Sequence, residues 1–589
     1  MLNDSYNIAE LPKIDIPRSK FEKNFKHLTT FDVGKLVPIF VDECVPGTTV
    51  NIRTNKLVRL QTLISPIFDN LMMDTYFFFV PYRLVWDHWK NFMGENTAGH
   101  WYPNVQYQIP IVESEKGFAV NSIADYLGIP INVPNIEVNA LPLRAIALVW
   151  NEWFRDQNIQ DPILIYTGDN DVTAEYADGS AFSYINDGAK GMDLLPVDKY
   201  KDLFTTLLPA PQKGPSVALN NEILGNAGII TYDLDERHQA LSSSYPLLWN
   251  KGPTVANTMN TMYVSSNKET IKGASTTPND ASNARLYPTN LMAVATDYYD
   301  IDSDLTGRYD GKLRMNVTIN ELRLAFATQR LLERDARYGT RYTEVIQGHF
   351  GITSPDARLQ RPEFIGGNHC HLYVDSVVQQ SETGTTPLGD LAAYSVTADS
   401  NDDVSAYTAL EHGVILGFAC VRYEHTYQQG IDKMWSRRDR LDYYWPELSN
   451  IGEVGVLGKE LYNAVLPEGW SDLSDSQKAA WWSSESSKRD SVIGYQEAWY
   501  DMRFKRNIVS GEMHSGISNT LDYWHLADYY DSWPTPLSDG FIREDGSVVD
   551  RVIAVSQRVS NQVMADFYFE YDYVAPLPVY SIPGLIDMR

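Results

Sequence analysis

Cysteine is scarce: Cys44, Cys370 and Cys420 are the only three in 589 residues. That is no disulfide framework, and it suits folding in a reducing compartment. Long apolar runs are missing too, since no stretch approaches the roughly 20 residues a membrane-spanning helix needs. The opening Met1-Leu-Asn-Asp-Ser-Tyr6 has neither the basic nor the apolar region of an export signal, so export by the usual route is not expected. Positive charge is in deficit, with 49 Lys and Arg against 76 Asp and Glu and a net charge of -27. This excludes a protein whose whole surface neutralises phosphates. If the chain encloses DNA, a separate basic partner neutralises most of the phosphates and contact with DNA is confined to a local basic patch.

Catalytic and metal motifs are equally thin. Asp300-Ile-Asp-Ser-Asp304 starts like a calcium loop, but Leu305 stands where glycine is required and Gly311 where the bidentate glutamate belongs. Gly452, Gly455 and Gly458-Lys459 have the wrong spacing for a phosphate loop, and Glu460 replaces its Ser or Thr, so they read as loop glycines. His369-Cys370-His371 is the densest ligand cluster, with Cys420 and His425 as conceivable partners. Alternation on a strand would put both histidines on one face, but a bare HxH has little specificity, and strand histidines at a subunit contact are the better reading. No metal, cofactor or catalytic residue is assigned. No G-x-S-x-G elbow appears, although carboxylates paired only in space would escape a sequence reading.

What the chain does have is aromatic surface: 36 Tyr, 14 Trp and 12% aromatic residues overall. Such residues suit a protein that buries much of its surface against neighbours, or one that binds sugars. The pattern is mainly β. Tyr76-Phe-Phe-Phe-Val80 and Gly413–Tyr423 (GVILGFACVRY) read as buried strands, and in Phe567–Tyr573 the aromatics alternate with Glu570 and Asp572, the period of a half-buried strand. Helices are fewer. Pro142 can open one carrying the stripe Ile146, Val149, Trp150 and Trp153; Thr318 and Glu321 form a capping box for another that Gly339 ends; a third is expected near Asp475–Ser487. Residues 1–35 read as an extended arm, and 251–283 and 380–407 as polar surface insertions. No linker cuts the chain into clean domains.

The best basic patch is Lys433-Met-Trp-Ser-Arg-Arg-Asp-Arg440, followed by Tyr443, Tyr444 and Trp445. Cations interleaved with aromatic faces suit single-stranded nucleic acid, through phosphate pairing and base stacking. Lys433, Arg437, Arg438 and Arg440 are the candidate phosphate contacts, with Lys505 and Arg506 from a smaller patch; Trp435, Tyr443 and Tyr444 are the stacking candidates. The alternative is an inter-subunit salt-bridge cluster.

The run Asn320–Tyr342 continuing to Pro362, together with Phe31–Pro38, Tyr76–Lys90, Tyr427–Gly430, Ser436–Arg440, Gly494–Glu497, Leu521–Leu526 and Pro578–Asp587, resembles in order the conserved blocks of Microviridae major capsid proteins, particularly the gokushovirus branch. The likeness runs from about residue 18 to the end. It implies a single eight-stranded antiparallel jelly-roll with very long inter-strand insertions carrying some helices. The expected division is an arm at 1–35, a first part of the jelly-roll with a helical insertion at 36–217, a variable three-fold protrusion at 218–312, and the remainder at 313–589. The implied function is a structural one without enzymatic activity: self-assembly into a T=1 icosahedral shell around circular single-stranded DNA, in the cytoplasm of a host bacterium. Implied partners are further copies of the chain, a small basic internal DNA-binding protein and a host surface receptor met by 218–312. A scaffolding protein is a further candidate. The rival from another class is a secreted or surface β-sandwich that binds or hydrolyses glycans, to which the missing export signal is an objection.

Overall fold

The structure is a computed structural model that describes residues 16–96, 106–114, 116–173, 193–215, 217, 245–249, 260–264, 271–274, 319–373, 376–378, 391–394, 397–467 and 469–580. The chain divides into two compact units, Met1–Lys213 with Leu332–Arg589, and Gly214–Leu331. In chain order the main elements are strands β1 (Ser19–Glu22), β2 (Phe25–Phe31), β3 (Lys35–Cys44), β4 (Thr49–Leu60) and β5 (Leu71–Pro81), then helices α1 (Ala140–Val149), α2 (Ile319–Tyr338) and α3 (Tyr342–Phe350). There follow β6 (Glu363–Leu372), β7 (Thr397–Thr408), β8 (Gly413–Tyr423), β9 (Glu453–Leu457), α4 (Asp475–Asp490), β10 (Val492–Glu497) and β11 (Val563–Ala575).

Two antiparallel sheets organise the larger unit. One has the order β6–β5–β8–β3, with Leu195–Pro196 on the outer edge of β3; the other has β7–β4–β11, with β1 and β2 both paired to β11. The fold is thus mainly β, and neither sheet order closes on itself. Of the arm expected over residues 1–35, residues 1–15 lie outside the described residues, and β1 and β2 both pair with β11, which sets Phe21 opposite Tyr573 and Phe25 opposite Phe569.

The two sheet types follow from their sequences. In β11, Phe567, Phe569, Tyr571 and Tyr573 are buried while Tyr568 and Glu570 are exposed, so one face meets the core and the other is left outside. β8 is buried on both faces. Ile415, Ala419, Val421 and Tyr423 enter the core shared by the two sheets; Val414, Leu416, Phe418 and Cys420 enter a second core under α1, with Leu141, Leu143 and Ile146. A strand covered twice has no solvent face to mark with polar residues, which explains the unbroken run GVILGFACVRY. Gly417 interrupts it because a Cβ there would lie 2.6 Å from the Phe77 ring and 2.7 Å from Phe40 Cβ.

Some local expectations hold and others shift. Helix α1 runs from Ala140, with Asn139 Oδ1 accepting from the Leu141 N–H at 2.9 Å, and Pro142 lies in its first turn as expected. The stripe continues through a π-helical turn, Trp150–Phe154, where the indoles of Trp150 and Trp153 donate to the carbonyls of Pro196 and Pro362. Helix α2 ends at Tyr338, before Gly339 at φ +105°, a conformation that favours glycine; Thr318 of its expected capping box lies outside the described residues. Helix α4 is capped by Ser474 and Gln477 and runs further than expected, to Asp490. Gly455 lies in β9 and Gly458 opens a short helix, Gly458–Leu461, so those two are not loop residues.

The largest correction concerns 380–407. Its second half is β7, a strand of the main sheet pairing with β4 through a register that includes Thr397 with Val58 and Thr408 with Thr49. Few of its residues are apolar, and one buried position is an aspartate: Asp403 lies 3.9 Å from the Lys56 ammonium, both side chains fully buried. Lys56 also donates to Thr75 of the opposite sheet at 3.0 Å. A buried ion pair substitutes here for the apolar alternation that would have marked the strand. Residues 380–390, the Asp300–Asp304 turn and nearly all of 218–312 lie outside the described residues; within the last, Tyr245–Trp249, Asn260–Val264 and Ile271–Ala274 form an antiparallel sheet.

Candidate nucleic-acid interface

The candidate cations lie in two segments far apart in sequence that the fold brings together. Residues 432–448 run as three short 3₁₀ turns, Lys433–Ser436, Arg440–Asp442 and Pro446–Leu448. Side-chain contacts with backbone fix this path. Asp432 accepts from the Met434 N–H at 3.3 Å, and Asp442 Oδ2 accepts from the N–H groups of Arg438 and Asp439, both at 2.8 Å. Those two donors hold the Asp442 carboxyl below its ordinary range.

The second segment, around Trp499–Arg506, packs against the first. Lys505 pairs with Asp432 at 3.0 Å, Tyr444 meets Trp499 edge-on at 5.4 Å, and the Lys433 ammonium lies 4.6 Å from the centre of the Tyr500 ring. Tyr500 in turn donates to the buried carboxyl of Glu460, which burial pushes up.

The candidates then divide by what holds them. Arg437 forms an ion pair with Asp501, both side chains largely buried. Arg506 donates to the carbonyls of Ile431, at 2.8 Å, and Glu460, and burial lowers its pKa. These two are tied into the fold. Arg438 is exposed and has no ion-pair partner among the described residues, and Arg440 lies 4.7 Å from the Trp445 ring. Lys505, although paired, keeps 68% of its side chain exposed. Trp435 is 74% exposed, with Tyr443, Tyr444 and Trp445 exposed beside it. The result is a ribbon of aromatic faces flanked by Lys433, Arg438, Arg440 and Lys505, anchored from below by Arg437 and Arg506. Sequence reasoning missed the anchors' partners, Asp501 and the Ile431 and Glu460 carbonyls, because nothing local marks them.

Histidines are used otherwise. His369 and His371 do share a side of β6, with ring centres 6.0 Å apart. His369 Nδ1, however, bonds Asp74, which also takes Arg422 and the Tyr200 hydroxyl, the latter at 2.8 Å. Burial opposes ionisation of Asp74, but Arg422, His369 and Tyr200 outweigh it and lower its pKa. His425 is buried between Asp528, at 2.7 Å from Nδ1, and Glu544, at 3.1 Å from Nε2. Among the described residues no group of three or more His, Cys, Asp and Glu side chains is placed to hold a metal.

A family model described as "Capsid protein (F protein)" matches residues 9–585. The chain belongs to this family. Three capsid proteins named VP1 match it from end to end. That of Chlamydia phage 1 is 35% identical over 600 residues, covering 98% of this chain and 97% of its own. That of Bdellovibrio phage phiMH2K is 35% identical over 589 residues, covering 99% and 98%. That of Spiroplasma virus 4 is 37% identical over 576 residues, covering 97% and 96%. The capsid-protein family is structural, of the Microviridae type, and the glycan-binding β-sandwich finds no support among these relatives.

Proposed function

We propose that this capsid protein is the repeating subunit of a T=1 icosahedral shell enclosing circular single-stranded DNA. The observation that carries the proposal is likeness over at least 97% of the chain to three capsid proteins. The sheet order supports a jelly-roll core. Taking β3, β4 and β5 as strands B, C and D, and β6, β7 and β8 as G, H and I, the first sheet reads G–D–I–B and C pairs with H. That is the pairing a jelly-roll of two Greek keys requires. E and F would then fall between β5 and β6, and β11 would be an addition on the free edge of C.

The exposed ribbon would face the genome, with Lys433, Arg438, Arg440 and Lys505 on phosphates and Trp435, Tyr443 and Tyr444 on bases. A net charge of -27 leaves most of the neutralisation to a small basic internal protein. Residues 218–312 would project outward to a host receptor, and assembly, with or without a scaffolding protein, would take place in the host cytoplasm. The role is structural and not catalytic. Negative-stain electron microscopy with sedimentation of the chain, expressed alone and with a basic internal protein, tests this. Uniform closed shells are expected; a monomer that persists under both conditions and also with a scaffolding protein supplied would overturn it.

A further inference from the structure

The segment leading into the ribbon also lines a cleft. This cleft, of about 440 Å³, is lined by Gln428–Ile431, Asn463, Trp481, Trp482 and Arg489, within the roughly 300–1,000 Å³ of small-ligand sites. Its aromatic wall comes from α4 and is braced by a third indole: Trp481 and Trp482 lie 4.9 Å apart, Trp470 stands 5.2 Å from Trp481, and Trp482 stays 45% exposed. Its polar groups divide sharply. Glu485 is committed, accepting from Lys488 at 3.1 Å and from the Trp533 indole at 2.6 Å. Asn463 donates to the carbonyls of Gln429 and Lys459, and its own Oδ1 is buried with no hydrogen-bond partner. Arg489 has no ion-pair partner among the described residues.

The geometry points to a site for one nucleotide of single-stranded nucleic acid, its base against the Trp482 indole and its phosphate on Arg489. Three features favour this ligand. The free charge is a cation, so an anionic group is called for; a neutral sugar would leave Arg489 unpaired. The exposed Trp482 indole offers a stacking face to any base. Finally, the cleft wall is continuous with the ribbon: Gly430 and Ile431 run directly into Asp432 and Lys433, and Arg506 clamps Ile431 from the ribbon side. This shared segment is the path by which a strand lying along the ribbon would reach the cleft. The inference rests on the ribbon's proposed role in holding DNA.

The test is fluorescence anisotropy of a labelled oligothymidylate on the full chain, with Trp482→Ala, Trp482→Phe, Arg489→Gln and a ribbon variant carrying Lys433→Gln, Arg438→Gln, Arg440→Gln and Lys505→Gln. Circular dichroism checks that each variant is folded. Trp482→Ala and Arg489→Gln are each expected to weaken binding roughly ten-fold, with Trp482→Phe close to the unsubstituted chain. If only the ribbon variant binds more weakly, the cleft assignment fails and the ribbon stands. If no variant changes affinity, both fail. Indole quenching by a monosaccharide but not by the oligonucleotide would make the cleft a sugar site and overturn the inference.

Discussion

His425 is held charged by its surroundings. Burial opposes protonation, but Asp528 and Glu544 outweigh it and raise the imidazolium pKa from 6.5 to about 9. A group whose pKa rises on folding contributes stability that is complete below its unfolded pKa and lost as pH climbs through the folded one. Thermal unfolding of the subunit should therefore show a midpoint that falls between pH 7 and pH 10. His425→Gln should unfold at lower temperature near pH 7 and lose less over that interval; parallel pH curves would refute the assignment. Lys56 and Asp403 allow a second test at this scale. Asp403→Ala strands a fully buried ammonium and should cost about 3–5 kcal/mol, whereas replacing both by apolar residues of similar volume should cost far less. Denaturant melts of the single and double variants decide, equal losses being the contrary result.

The burial of an element's faces decides whether its sequence discloses it. β8 and β11 are legible because burial on two faces or on one writes a distinct pattern, an unbroken apolar run or a strict alternation. β7 is not, because its register depends on Lys56, more than 300 residues away, supplying the charge that lets Asp403 enter the core. In the ribbon, cations and aromatics were visible together, but Arg437 and Arg506 could be told from the rest only once Asp501 and two carbonyls came beside them. The division predicts two phenotypes. Arg437→Gln, which leaves Asp501 buried and unpaired, should lower the subunit's unfolding temperature. Replacing Lys433, Arg438, Arg440 and Lys505 with Gln should leave that temperature and shell yield unchanged while lowering retained DNA. Loss of shells in the second variant would instead favour a salt-bridge role between subunits.

The whole molecule joins an acidic chain to a local cationic, aromatic strip; if it encloses DNA as proposed, most of the phosphates are left to a basic partner. Shells formed by the chain alone should carry little DNA by their absorbance ratio at 260 and 280 nm, and shells formed with a basic internal protein much more. Equal filling would refute the need for such a partner. The central claim, that this subunit closes a shell with its ribbon turned toward DNA, is tested most directly by an electron cryomicroscopy reconstruction of DNA-filled particles. The account predicts Trp435, Arg438 and Arg440 on the inner wall against density for nucleic acid. Finding them on the outer surface, or sealed within a contact between subunits, would contradict it.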